Sequence, residues 1–318
     1  MGAGISGLTS AVLLKKKGYN VEVFETRHHI GGLCHDFLQN GLVFQHHGPH
    51  IFHTSDLETW EFVGRFAGFY PFDHVVMART EIGMFPIPFN RKSAEIVGDL
   101  SVERIRDLVF REYSEKQWCT SWSELPDSIT KRVPPKRDSY DCRYTLDEWQ
   151  GVPTGGFGRM FECMADGLKI HLSVDKDAWC SCEADLVVYT GRLDEYFDCS
   201  LGELEYRSAR FVHRREPVRK FPIINECMHE VPWTRSTDHS HWNGAAGMSK
   251  TTVTYEYPCD VDHGEPLYPV PFGPSVELAK SYREMAMAEK NTKFIGRMAE
   301  HAYVDMHVAV KKALEMFG

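Results

Sequence analysis

The sequence predicts an α/β fold: a Rossmann-like dinucleotide-binding domain joined to an antiparallel β-sheet domain and a small helical domain. Three observations predict it. Residues 2–25 run glycine turn, helix, strand and acid; residues 204–257 hold several alternating apolar–polar runs; residues 93–117 carry helical periodicity.

Gly2, Gly4 and Gly7 spell G-x-G-x-x-G, the following LTSAVLLKKK is helical by length and composition, and Gly18 closes it. YNVEVFE then alternates as a strand and ends on Glu25, eighteen residues past Gly7. A dinucleotide fold needs a carboxylate at about that place for the adenosine ribose hydroxyls, so the segment predicts FAD or NAD(P). Only Met1 precedes the glycine turn, where the fold has a hydrophobic strand inside its sheet. Either the chain is shortened at its start or another segment fills the slot, because two neighbouring strands would otherwise carry unpaired backbone groups. MGAGIS also satisfies the pattern for N-myristoylation, but Gly2 cannot be both lipidated and buried against a cofactor, and the helix–strand–acid order favours the cofactor. Lys15, Lys16 and Lys17 follow the apolar stretch, the reverse of a secretory signal.

Farther along, LVFQHHGPHIFHT (42–54) precedes the helical LETWEFVGRFAG, and residues 74–90 read as short strands ending in PIPFN. A polar segment with prolines (124–143) leads to YTLDEWQGVPTGGFGRMFECMADGL, read as a loop entering a helix. ADLVVYTG (184–191) reads as a buried strand. The chain ends in a strand, a Gly296–Arg297 loop and a helix from near Asp305, the closing arrangement of a two-domain flavoprotein. A helix N-terminus there would stabilise negative charge on a reduced flavin.

Forty-five acidic against 36 basic residues give a formal charge of −9, which argues against a general nucleic-acid binder; any bound anion must meet a local cluster of Arg or Lys. No apolar run approaches a membrane span and mean hydropathy is −0.36, so no membrane segment is expected. Nine cysteines, with one C-x-C and no C-x-x-C, fit reduced thiols and a cytoplasmic location better than a disulfide framework or zinc ribbon.

GPHIFHT (48–54), EYSEKQW (112–118), ELP…KRVP (124–134), WQGVP (149–153) and YTG…DEYFD…LGELEYRS (189–208) follow one another along the chain. TR (234–235), YEYP (255–258), EPLYPV (265–270) and GRMAEHAYVDM (296–306) complete the series. In this set and order the sequence resembles the bacterial-type UDP-galactopyranose mutases, as a shortened member whose stretch between PFN and KQW leaves room for only one or two helices of the family's helical domain. The resemblance implies an FAD enzyme, active when reduced, that interconverts UDP-galactopyranose and UDP-galactofuranose for galactofuranose-containing glycans. It implies attack of flavin N5 on the anomeric carbon, a covalent flavin–sugar adduct, departure of UDP, ring opening and reclosure, and return of UDP. NAD(P)H or another reductant would supply the electrons. The expected domains are an FAD-binding one (1–70, 151–200, 286–318), a reduced helical lid (91–131) and a substrate-side antiparallel sheet (71–90, 201–285).

The resemblance also implies roles for residues. Arg132 and Arg235 match the arginines that hold the pyrophosphate, where planar guanidinium donors follow a leaving group of growing charge. His50 matches the histidine beside the flavin; Gly31 and Gly32 let backbone approach the cofactor; Arg297, Asp305 and Met306 complete the cofactor set. Trp118 matches a tryptophan on a mobile loop over the UDP-sugar, Phe110 and Tyr113 embrace the uracil, with Ser114 beside them where the family has Thr, and Asn90 is a substrate candidate. Tyr144, Tyr268 and Tyr303 match tyrosines whose hydroxyls reach the phosphates, Tyr144 only with a one-residue gap, and Asp305 would cap the last helix while closing the site. His46, His47, His50 and His53 form HHxxHxxH, but no clustered carboxylate or cysteine completes a ligand set, so no metal is expected. His47 and Val109 stand where the family has Tyr and Phe. An amine-oxidase-like flavoenzyme and an inert nucleotide-binding protein are the alternatives; the first needs no arginine pair or KQW, and the second gains only from the missing strand. Ile96, Val97, Leu100, Ile105, Leu108 and Val109 are spaced for one inward face, leaving no dimer surface there, so a monomer or an atypical dimer is expected.

Overall fold

The computed structural model describes residues 1–39, 41–244 and 247–318. Helix α1 (Ile5–Lys16) starts on the glycine turn, and β1 (Glu22–Phe24) carries the chain to Glu25. A hairpin, β2 (Asp36–Gln39) and β3 (Leu42–Gln45), leads through β4 (Phe52–Thr54) to α2 (Leu57–Gly64), whose first turn is capped by the Asp56 carboxylate accepting from Thr59 N. Next come β5 (Phe69–Pro71) and the hairpin of β6 (Val76–Thr80) and β7 (Gly83–Ile87). The helical stretch divides into α3 (Arg91–Val97) and a second rod built from α4 (Val102–Ile105), a π-helical turn over Arg106–Arg111, and α5 (Glu112–Trp118). After the single turn α6 (Asp127–Thr130) the chain forms β8 (Trp149–Pro153), α7 (Gly156–Ala165), β9 (Lys169–His171), α8 (Lys176–Cys180), β10 (Val187–Tyr189) and α9 (Leu193–Tyr196). The last part is β11 (Tyr206–Pro217), β12 (Ile223–Glu226), β13 (Arg235–Asp238), β14 (Lys250–Asp260), β15 (Tyr268–Pro269), α10 (Pro274–Ala288), β16 (Thr292–Phe294) and α11 (Met306–Phe317).

Met1–Ala3 occupy the slot of the missing strand. Gly2 N donates to Phe24 O at the end of β1, while Met1 N donates to Val188 O and Thr190 N to Met1 O at the end of β10. The pairs β9–β1 and β10–β16, each parallel, thus meet across three residues of backbone, which satisfies groups that a gap would leave open. Helix α1 lies on this junction, its residues from Ile5 to Ala11 all buried, and packs against α11 and α7. Phe157, Met160, Phe161 and Met164 of α7 and Ala309, Val310 and Ala313 of α11 belong to the same core.

Three expectations need correction. WQGVP is a strand, not a loop: β8 lies between β4 and β5, with His53 opposite Gln150 and Tyr70 opposite Val152. Gly151 permits it, since a Cβ there would stand 2.8 Å from Tyr70 O. The large sheet, ordered β15–β11–β14–β13–β12–β6–β7, is antiparallel except where β12 runs parallel to β6, a join between distant segments that no hairpin constrains. Ile96 is 53% exposed, because Gly98 ends α3 and the inward face does not continue through it; Ile105, Leu108 and Val109 on the second rod are buried.

Candidate functional site

A cavity of about 900 Å³ runs from the glycine turn to the large sheet. Gly2, Gly4, Glu25, Gly31, Gly32, His50, Arg132, Tyr144, Arg235, Tyr268, Arg297, Tyr303, Asp305 and Met306 all line it, so residues up to 304 positions apart in sequence converge on one space.

One end fits a dinucleotide. Gly2 has φ +92° and a Cβ there would stand 2.1 Å from Thr190 Oγ1; Gly32 has φ +56° and its Cβ would stand 3.2 Å from Gly4 Cα. Both turns therefore depend on lacking a side chain. Gly7 does not line the cavity; it lets α1 close on the turn, with Gly2 O where its Cβ would lie. No side chain caps α1 and no acid stands in its first turn, which leaves its N-terminal N–H groups for an anion. Glu25 is buried, Oε2 accepting from Ala3 N at 2.7 Å and Oε1 from Arg27 N at 2.9 Å and Thr26 Oγ1 at 3.2 Å. A carboxylate has about four acceptor positions, so Oε2 keeps one for a ribose hydroxyl. Glycines, helix terminus and carboxylate together fit the adenosine diphosphate half that FAD and NAD(P) share.

The middle of the cavity holds neutral histidine. His50 Nδ1 lies 3.0 Å from Gly48 O, so that nitrogen carries the proton and Nε2 keeps its lone pair. Burial, with His47 and Arg297 nearby, pushes its pKa down to about 3. Gln45 fixes the loop, its Nε2 donating to His50 O and its Oε1 accepting from His50 N. Arg297 is committed to backbone, donating to Val304 O through Nε and Nη2 and to Leu267 O through Nη1, and so fixes the segment leading into α11 as well as facing the cavity.

The far end is cationic and phenolic. The Arg132 guanidinium lies 4.0 Å from the centre of the Tyr303 ring, Arg297 covers the same ring at 4.7 Å, and Tyr268 runs parallel to it with centroids 6.3 Å apart. Arg235 donates from Nε to Asn225 Oδ1 at 3.3 Å and from Nη2 to the Tyr113 hydroxyl at 3.0 Å, while Nη1 stands 3.8 Å from Glu256 Oε2. Both arginines act on Tyr144, whose burial raises its pKa against their pull. Arg137 holds that tyrosine by donating to the carbonyls of residues 143 and 144, so the stretch that matches only with a one-residue gap still delivers Tyr144 to the cavity.

Other expected residues stand elsewhere. Asn90 does not line this cavity: its Oδ1 caps α3 by accepting from Lys92 N and Ser93 N, and its Nδ2 reaches Pro88 O and Asp141 O, so main-chain partners occupy the whole amide. Asp305 occupies the N-cap position of α11 without capping it; its carboxylate turns instead to Arg132, 3.8 Å away. Phe110, Tyr113, Ser114 and Trp118 form a layer outside the cavity wall, Tyr113 touching Arg235 and Trp118 packing against Phe272 and Tyr268. Trp118 ends a helix held to the sheet, not a loop free of it. Three contributors escaped the sequence: Asn225 and Glu256, which hold Arg235, and His74, a cavity residue whose burial lowers its pKa to about 3. YEYP was visible as a motif, but the partner of Glu256 comes from the neighbouring strand.

Comparison with known proteins places this architecture. The NAD(P)-binding Rossmann-like domain profile matches residues 1–66, and the UDP-galactopyranose mutase profile matches residues 108–303. A Klebsiella pneumoniae protein named "Probable UDP-galactopyranose mutase" is 30% identical over 99% of this chain and 92% of its own. An Escherichia coli dTDP-fucopyranose mutase is 27% identical over 99% of this chain and 96% of its own. The crystal structure of a reduced UDP-galactopyranose mutase superposes with a TM-score of 0.79 at 16% identity, covering 99% of this chain and 92% of that one, which establishes the same α/β fold with its mixed sheet. The profile over 108–303 and the full-length identity agree, and the chain belongs to the UDP-galactopyranose mutase family.

Proposed function

We propose that the protein is an FAD-dependent mutase that interconverts UDP-galactopyranose and UDP-galactofuranose. The observation that carries this reading is the convergence of Arg132 and Arg235 on the cavity whose other end is built from Gly2, Gly32 and Glu25. Reduced flavin, when bound, supplies the nucleophile toward the anomeric carbon. Arg132 and Arg235 bind the diphosphate and neutralise the charge that grows as it departs. Tyr144, Tyr268 and Tyr303 orient it through their hydroxyls, and burial keeps Tyr144 and Tyr268 protonated. His50 offers a neutral acceptor beside the cofactor, and the free N–H groups at the start of α11 face negative charge developing near Met306. Asp305 keeps Arg132 aimed into the cavity. Net redox change is zero, so NAD(P)H or another reductant acts only to prime the enzyme. The enzyme works as a monomer, or as a dimer through a surface other than residues 91–117.

The Escherichia coli relative favours a second reading, a deoxythymidine diphosphate sugar as substrate. Incubating dithionite-reduced enzyme with UDP-galactofuranose and, separately, with dTDP-fucofuranose separates the two. The proposal expects faster conversion of the uridine sugar; conversion of the thymidine sugar alone replaces it, and conversion of neither removes both.

A further inference from the structure

The Lys116 ammonium stands among four main-chain carbonyl oxygens: Glu226 O at 2.8 Å, Met228 O and Val231 O at 2.9 Å, and Trp233 O at 3.1 Å. Glu226 is the last residue of β12, and the other three lie in the connection from β12 to β13. No carboxylate lies within ion-pair distance of Lys116 among the described residues, so the cation is held by carbonyl dipoles. Four carbonyl oxygens pointing at one spot repel one another unless a cation or donor fills it; three ammonium N–H groups do so here. Lys116 is thus the donor on which these four carbonyls converge.

The two segments it joins carry the partners of Arg235. On the helix side, α5 bears Tyr113, whose hydroxyl accepts from Arg235 Nη2, and Trp118, packed on Tyr268. On the sheet side, the loop runs from Asn225, which accepts from Arg235 Nε, to Arg235 itself. Neighbouring contacts run the same way: Glu112 Oε2 accepts from His229 N at 2.7 Å, and Gln117 O accepts from Arg207 Nε at 3.4 Å.

We propose that Lys116 is a positioning residue: by filling the carbonyl cage of the 226–233 loop it locks α5 to the sheet, so that Tyr113 and Asn225 hold one orientation of the Arg235 guanidinium toward the diphosphate. This rests on the reading that Arg235 binds that group. It makes the lysine of KQW the fastener of the aromatic layer, and makes that layer part of the arginine site.

The test is Lys116→Ala, read by UDP affinity, by amide exchange and by chemical rescue, with the holoenzyme throughout. UDP should bind at least tenfold more weakly at unchanged FAD content. Exchange should accelerate together in residues 112–118 and 228–234, with α1 unaffected. Millimolar n-propylammonium should restore most of the affinity by refilling the cage, and 1-propanol, the same size without charge, should not. Lys116→Gln, which keeps two N–H donors, supplies the affinity and exchange readouts where the alanine variant fails to fold, with a smaller loss. A UDP affinity within twofold of the parent, exchange that changes in only one of the two segments, or equal rescue by 1-propanol overturns the proposal. Exchange needs neither UDP nor turnover, so it decides Lys116 even where the parent enzyme binds no UDP and the functional reading itself fails.

Discussion

Replacing Arg235 and Arg132 one at a time by alanine separates charge at the diphosphate from charge in the fold. A guanidinium has five N–H donors; Arg235 gives Nε to Asn225 and one of Nη2 to Tyr113, which leaves three for substrate and Glu256. Removing a charge-assisted contact made mainly in the transition state costs about 2–4 kcal/mol, or roughly 30- to 800-fold in kcat. The same change strips the buried Glu256 of its cation, and truncating one side of a buried pair is destabilising by up to about 3–5 kcal/mol. Burial already pushes the Glu256 pKa up, so the carboxyl escapes part of that cost by protonating. Arg132 differs: its side chain is 47% exposed and its carboxylate partner Asp305 is 36% exposed, so its loss costs the fold about 0–1 kcal/mol. Arg132→Ala and Arg235→Ala should thus lose similar rate but unequal stability, with only the second lowering Tm and FAD content normal in both. Stopped assays of UDP-galactofuranose conversion, with thermal melts and visible spectra of the same preparations, give all three quantities. Rates within threefold of the parent in both variants, or a larger Tm loss for Arg132→Ala, would refute the reasoning.

Three further outcomes follow from single positions. Asn90→Ala should lower stability by about 1–2 kcal/mol in urea unfolding while KM for the nucleotide sugar stays unchanged, since the amide caps α3 and does not reach the cavity; a raised KM at normal stability would return Asn90 to the substrate site. Gly32→Ala meets both a φ of +56° and Gly4 Cα at 3.2 Å, so the purified protein should carry little flavin by its ratio of visible to 280 nm absorbance; full FAD content would contradict the cradle. His239 is buried with Nδ1 accepting from Gln45 N and Trp242 Nε1 and Nε2 facing Thr254, and its pKa is lowered to about 3, chiefly by burial. Below about 6.5 the unfolded chain takes a proton on this imidazole that the folded chain refuses, so stability should fall by about 1.4 kcal/mol per pH unit between roughly 6.5 and 3. Urea midpoints of parent and His239→Gln at pH 7.5 and 5.5 check it: the variant should lose less on acidification, and equal losses would refute the assignment.

What the sequence made legible is what neighbouring residues decide. The glycine turn, α1, β1 and Glu25 lie within one stretch of chain, so spacing alone orders them. Other features depend on backbone from far away. Gly151 and Pro153 mark β8 as a loop until β4 and β5 flank it, and no local pattern joins β12 to β6 in parallel. Met1–Ala3 gave no strand pattern because three residues are too few to show alternation, although their backbone bonds to the ends of β1 and β10. The capping role of Asn90 was readable, since Asn90 and Ser93 are spaced as a capping box ahead of α3. Asp305 resisted reading because N-cap position and carboxylate direction are separate facts, and Arg132 fixes the second. Lys116 left no trace, because its partners are carbonyl oxygens that every residue type provides.

The central claim is tested most directly by product analysis of the purified, FAD-loaded protein with UDP-galactofuranose, once reduced by dithionite and once fully oxidised without reductant. The account predicts UDP-galactopyranose from the reduced enzyme and none above background from the oxidised one, because only the reduced cofactor is a nucleophile. Equal conversion in both states, or no conversion by reduced enzyme whose bound FAD is confirmed by its spectrum, would contradict it.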